Sequence, residues 1–341
     1  MVTRRVIEHN GVSRRTFLAG MAGLGAMALV PGGLNGAPAA PGRLVMPNLR
    51  GVMVFLITPM IERSGRAEVD YEGMRRNIEF YARQTGPFCL CLCGGTGEFS
   101  DLTAEEILRL TEAAATAKRD RILIVGVGGA DTRETIQRAQ GVQRAGADAL
   151  LAMPVKAVSG AGQEAMYEHY ATLCRNVDIG ALPYRRPEAP MEMDTVLRLA
   201  EIPNFVALKS AGKEADWYRE VFLRTNGDLP IFPASESMAP YWHLAGCAGF
   251  TSGLVDLVPR KSVGLWETLD LGDYRKGVKL ADAFRPLYAF RAKHGTPMLK
   301  AGLELLGYAG GPVRKSMKVL GDAERQELRQ LMTDMEAFAA D

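Results

Sequence analysis

An apolar, strand-like run, Phe205-Val206-Ala207-Leu208, ends in a single lysine, Lys209, followed by Ser210. A lysine that closes a parallel strand lays its stem against neighbouring strands and holds its amine in a dry pocket, where desolvation lowers its pKa below the usual ~10.4. A neutral amine can attack a ketone and form a Schiff base. The competing reading is a strand-end lysine that only reaches water, so the decision rests on what other strand ends bring to the same rim. Gly94-Gly95-Thr96-Gly97-Glu98 joins glycines, which let backbone amides approach an anion, to a hydroxyl donor, and Gly94, Gly95 and Thr96 suit a carboxylate. Pro183-Tyr184-Arg185-Arg186-Pro187 offers Tyr184 as a proton shuttle. Thr251 and Ser252 add two hydroxyls. Singly these are a turn, a half-buried aromatic and strand-end filler; placed at one rim they make a site.

The elements that must position them recur at a nearly constant interval. Strand-like runs fall at Val52–Ile57, Phe88–Cys93, Ile122–Gly126, Ala149–Met153, Ile179–Leu182, Phe205–Lys209, Pro230–Pro233 and Gly249–Thr251. Amphipathic stretches lie between them, opening at Asp70, at a capping box Thr103-Ala104-Glu105-Glu106, at Asp131, and near Gly162, Met191, Glu214 and Glu236. Eight such units, each too short for a hairpin return, predict an α/β fold, a (β/α)8 TIM barrel, with its chemistry at the carboxyl ends of the strands. The competing doubly wound sheet lacks a full dinucleotide fingerprint: Gly126-Val127-Gly128-Gly129-Ala130-Asp131 has aspartate where the third glycine belongs, and a tight turn accounts for it. From Val258 the pattern is helical only, interrupted near Gly272, Gly295, Gly310-Gly311 and Gly321. The expected organisation is a leader over residues 1–39, a linker over 40–47, the barrel over 48–257, and the last barrel helix plus a C-terminal helical extension over 258–341. That extension packs on the barrel or builds a contact between copies of a homo-oligomer.

The leader is legible in its own right. Ser13-Arg14-Arg15-Thr16-Phe17-Leu18 is a twin-arginine pattern, followed by an apolar run to Val30 and a small-residue site at Ala37-Pro38-Ala39. The run falls short of the ~17 residues a membrane-spanning helix needs. It predicts Tat export to the periplasm or beyond and no membrane association once the leader is removed. Residues 1–39 carry four arginines against Glu8, which leaves 37 basic and 38 acidic side chains, a balance that argues against nucleic acid as a partner. Five cysteines are an odd number, and Cys89, Cys91 and Cys93 alternate as if on one strand face. No zinc-like spacing accompanies them, and His9, His169, His243 and His294 are scattered, so neither a metal nor an organic cofactor is expected. A metal-dependent barrel hydrolase would need His and Asp ligands at strand ends that this chain lacks.

From about Gly51 to the C-terminal helices the sequence resembles the dihydrodipicolinate synthase/N-acetylneuraminate lyase group of Schiff-base-forming class I aldolases. The resemblance rests on the Gly-rich turn, Tyr184, Lys209 and the Pro297…Lys300 helix opening. It implies that Lys209 forms an imine with a 2-oxo acid, that Tyr184 relays protons, and that Gly95 with Thr96 holds the substrate carboxylate. Two departures separate the chain from the synthase branch. The second tyrosine of that branch is replaced within Met153-Pro154-Val155-Lys156, and the arginine five residues past the first tyrosine is Ala189. The run Gly94 to Thr103 and the arginine two residues past the tyrosine, Arg186, look closer to the branch typified by 5-dehydro-4-deoxyglucarate dehydratase. The expectation is therefore a lyase, aldolase or dehydratase, on a sugar-derived 2-oxo acid, the alternative being an exported binding protein that keeps the same pocket without turnover. Lys156, at the rim of the fourth strand, either repels the Lys209 proton, contacts substrate or points to solvent.

Overall fold

The computed structural model describes residues 44–315 and 317–340, so the leader read over residues 1–39 lies outside the described residues. In chain order the strands are β1 (Gly51–Phe55), β2 (Met60–Arg63), β3 (Arg66–Val69), β4 (Phe88–Leu92), β5 (Leu123–Val127), β6 (Ala149–Ala152), β7 (Gly180–Arg185), β8 (Leu208–Ser210), β9 (Ile231–Phe232) and β10 (Gly249–Ser252). Eight of them pair in parallel in the order β10-β1-β4-β5-β6-β7-β8-β9. A parallel bridge between Ala234 and Thr251 joins the two ends, supported by hydrogen bonds from Thr251 N to Pro233 O (2.8 Å) and from Ser235 N to Thr251 O (2.9 Å). The protein is a (β/α)8 barrel, as the eight apolar runs require.

The helices begin where short polar side chains can satisfy the free amides of a first turn. Asp70 caps α1 (Tyr71–Ala82) through Gly73 N, and Thr103 and Glu106 form a reciprocal capping box on α2 (Ala104–Ala115). Asp131 caps α3 (Thr132–Arg144) through Glu134 N. The barrel's remaining helices are α4 (Lys156–Ser159), α5 (Gln163–Arg175), α6 (Met193–Ala200), α7 (Ala215–Arg224), α8 (Ala239–Leu244) and α9 (Pro259–Asp270). The C-terminal extension consists of α10 (Tyr274–Ala283), α11 (Arg285–His294), α12 (Thr296–Leu305) and α13 (Asp322–Ala337). Among the described residues no helix is long and apolar enough to cross a membrane.

Alternation along each strand divides the core into two clusters. Met53, Phe55, Cys89, Cys91, Ile124, Leu151, Leu182, Ala207 and Phe232 fill the barrel, and Leu49 joins the same cluster from the segment before β1. The outward residues, such as Val52, Val54, Leu90 and Leu92, pack against the helices. Cys93 does not share the face of Cys89 and Cys91: it lies past the end of β4 with φ +53° and packs in the outer cluster. The chain turns out of the strand one residue earlier than the apolar run suggested. All five cysteines are free and buried, and burial pushes the Cys89 thiol up to about 12. Gly126 also has a specific cause, since a Cβ there would stand 2.0 Å from Cys93 O. Gly126, within β5, thus serves backbone packing beside the β4 turn.

The two-stranded hairpin β2–β3 is absent from the sequence expectation. It turns through Ser64 and Gly65, both at positive φ (50° and 73°), and pairs Met60 with Val69. The hairpin is tied to the C-terminal segment, with Met60 N donating to Gly310 O (3.0 Å) and Arg314 Nε to Ala67 O (3.1 Å).

Candidate active site

Lys209 lies in the middle of β8, in register with Tyr184 on β7 and Phe232 on β9. Parallel pairing places the side chains of Lys209 and Tyr184 on the same face, inside the barrel near its carboxyl-end mouth. The Lys209 ammonium nitrogen stands 5.2 Å from the Tyr184 ring centroid and 5.6 Å from that of Phe55, and it donates to Ser210 O at 2.8 Å. Only 2% of the residue is exposed. Removal from water brings its pKa down to about 7, and the Arg186 guanidinium adds to the fall. Cys91 opposes it little, because burial holds that thiol neutral. At neutral pH a far larger share of such amines is unprotonated than of ordinary lysines.

Tyr184 is half-buried, and burial raises its phenol above the ordinary value. Its hydroxyl makes no hydrogen bond to a described residue. The Arg186 guanidinium lies 5.4 Å from the Tyr184 centroid and pairs with Glu188 at 3.2 Å, so it borders the mouth beside the phenol. Ala189 turns back on Arg186 through an antiparallel bridge and is buried.

The turn after β4 carries the proposed anion donors. Gly94 is buried, Gly95 is exposed with open space where a side chain would stand, and Thr96 is half-buried. The amides of Gly95 and Thr96 donate to no described acceptor. Beneath them Thr58 Oγ1 donates to Gly97 O at 2.7 Å, and Glu98, at φ +58°, is anchored by two partners. Its Oε1 stands 2.7 Å from Lys300 Nζ and its Oε2 accepts from Arg314 N at 2.9 Å. Lys300 is 1% exposed, so this is a buried ion pair under the turn. Two further groups missing from the sequence expectation belong here: Phe55, whose ring flanks Lys209, and Arg291 of α11, whose Nη2 donates to Thr96 Oγ1 at 3.3 Å.

The remaining expected residues are placed less centrally. Thr251 faces inward but spends its hydroxyl on Pro233 O (3.1 Å), where it helps close the barrel. Ser252 Oγ accepts from Leu254 N (3.0 Å) and hydrogen bonds to the buried Glu236. Lys156 opens the short helix α4 and is exposed, and the cation that acts on Lys209 is Arg186 instead. Among the described residues no three His, Cys, Asp or Glu side chains gather as a metal would require.

A model of the dihydrodipicolinate synthetase family matches residues 48–335. An Acinetobacter baumannii protein named "Probable 5-dehydro-4-deoxyglucarate dehydratase" is 29% identical over 290 residues, covering 82% of this chain and 95% of the relative. The 4-hydroxy-tetrahydrodipicolinate synthase of Laribacter hongkongensis is 30% identical over 285 residues, covering 82% and 96%. The crystal structure of dihydrodipicolinate synthase from Aquifex aeolicus superposes with a TM-score of 0.76 at 26% identity, covering 84% of this chain and 98% of that one. The matched span takes in the whole barrel and most of the C-terminal helices that reach the turn after β4. The chain belongs to the dihydrodipicolinate synthetase family, a family of enzymes on this barrel.

Proposed function

We propose that the protein is a lyase that binds a sugar-derived 2-oxo acid as an imine on Lys209 and then eliminates water or cleaves a carbon–carbon bond. The observation that carries this reading is the buried, weakly basic Lys209 in register with Tyr184. The neutral amine attacks C2 of the oxo acid, the carbinolamine loses water, and the protonated imine takes up the electron pair either of the C3–H bond, whose proton passes to a base before the C4 hydroxyl leaves as water, or of the C3–C4 bond, whose far fragment leaves as an aldehyde. Tyr184, whose ring centroid lies 5.2 Å from the amine, passes protons during imine formation and hydrolysis. The Gly95 and Thr96 amides hold the carboxylate. A sugar-derived acid is favoured over the synthase substrates because Lys156 and Ala189 stand where that branch has its second tyrosine and its arginine, while Arg186 borders the mouth.

Borohydride added to protein incubated with pyruvate or a sugar-derived oxo acid should leave a covalent adduct on the peptide carrying Lys209. The rate of trapping should rise with pH through a midpoint near 7, since the amine must lose its proton before it attacks. An adduct on another lysine, or a midpoint near that of free lysine, would remove Lys209 from the centre of the reaction. The twin-arginine leader extends the proposal to turnover outside the cytoplasm. Fractionation should recover the chain without its leader from the periplasm; full-length protein confined to the cytosol would count against export.

A further inference from the structure

Arg291 is a half-buried cation on α11, outside the eight strand ends, yet it reaches the turn after β4. The close fit depends on Gly253, just past β10, where a Cβ would lie 2.9 Å from Arg291 Nη2 and 3.0 Å from Nη1. No described carboxylate forms an ion pair with it. Two carboxyls near enough to sense its charge, Glu236 and Asp256, are fully buried; Asp256 Oδ1 has no hydrogen-bond partner among the described residues. Glu236 accepts from Ser262 Oγ (3.1 Å) and from the Tyr288 hydroxyl, and Asp256 Oδ2 accepts from Ile57 N (3.3 Å). Desolvation raises both carboxyls, Asp256 to about 8, and neither forms an ion pair with the guanidinium. A partly desolvated guanidinium without a counter-ion is costly, and its donor fork matches a carboxylate. Thr96 Oγ1, by accepting from Nη2, is left with its own proton to give to a ligand beside the free amides of Gly95 and Thr96.

We propose that Arg291 is the counter-ion of the substrate carboxylate at Gly95 and Thr96 and that it orients the Thr96 hydroxyl as a donor to that carboxylate. The inference rests on the reading of this mouth as an oxo-acid site and adds a binding residue supplied by the C-terminal extension. It predicts a requirement for charge on the ligand. Borohydride trapping of wild type and Arg291→Gln should be compared with pyruvate and with pyruvamide, which keeps the ketone and lacks the charge. Half-saturation by pyruvate should rise about 10- to 100-fold in Arg291→Gln, the range for losing a charge-assisted hydrogen bond, while pyruvamide is unaffected. An equal rise for both ligands, or no change for either, overturns the proposal. A second arm leaves Arg291 in place and needs no imine: phenylglyoxal modification of Arg291 in Lys209→Ala protein, with and without pyruvate. Protection by pyruvate but not pyruvamide upholds the carboxylate contact even where trapping fails and the imine reading falls. Modification at the same rate with and without pyruvate overturns it.

Discussion

Lys209→Met should eliminate covalent trapping altogether and make the protein more stable, most strongly at pH 7 and below. The first effect follows from removing the amine that the barrel holds beside Tyr184. The second follows from linkage. In the unfolded chain the lysine titrates near its ordinary ~10.4, and in the native barrel near 7. Between those values the unfolded chain binds a proton that the native state does not, so native stability rises with pH across the window. The cost of burying Lys209 is therefore fully present below about pH 7 and fades toward about 10.4. Each unit of pKa is worth about 1.4 kcal/mol, which puts the gain from methionine at a few kcal/mol in the neutral range. Denaturant unfolding of both proteins at pH 6, 8 and 10 reads this directly. A stability difference that stays constant across those pH values would show that the native amine is not desolvated.

Glu98→Gln should cost about 3–5 kcal/mol, because it strips the counter-charge from an ammonium that is almost completely buried. Lys300 would keep its bond to Pro312 O, but a carbonyl does not neutralise a charge. Since Glu98 also holds the backbone of Arg314, the turn bearing Gly95 and Thr96 should loosen, and oxo-acid affinity should fall along with stability. Adding Lys300→Met to Glu98→Gln should restore much of the stability by removing the unpaired charge. A double variant no more stable than the single one would mean that the carboxylate contributes through geometry alone.

The barrel was legible because its strands are short apolar runs separated by capped amphipathic helices, a local pattern that each segment carries by itself. Lys209 and Tyr184 were legible for the same reason: Lys209 closes one apolar run and Tyr184 follows directly on another. The hairpin at residues 60–69 was missed because its strands, Met60-Ile61-Glu62-Arg63 and Arg66-Ala67-Glu68-Val69, are largely polar and exposed, leaving Ser64-Gly65 as its single signal. Arg291 and Lys300 were missed as charges for a different reason. In a helix of alternating character a lone cation looks like part of the solvated face, and only packing against a turn far away in sequence buries it. Lys156 shows the converse. Read from the sequence as a rim residue of the fourth strand, it begins a short helix and its side chain is exposed.

The links from the C-terminal segment to the turn after β4 span 195 residues at Arg291–Thr96 and 216 at Arg314–Glu98. Contacts of such range form late, because the loop between them must close before either is rewarded. During synthesis the strands bearing Lys209 and Tyr184 leave the ribosome before α11 and α12, whose Arg291 and Lys300 reach the turn after β4. An incomplete chain can therefore pair its strands and still have no anchored turn and no guanidinium at its rim. The proposed site is therefore completed by the last helices to leave the ribosome.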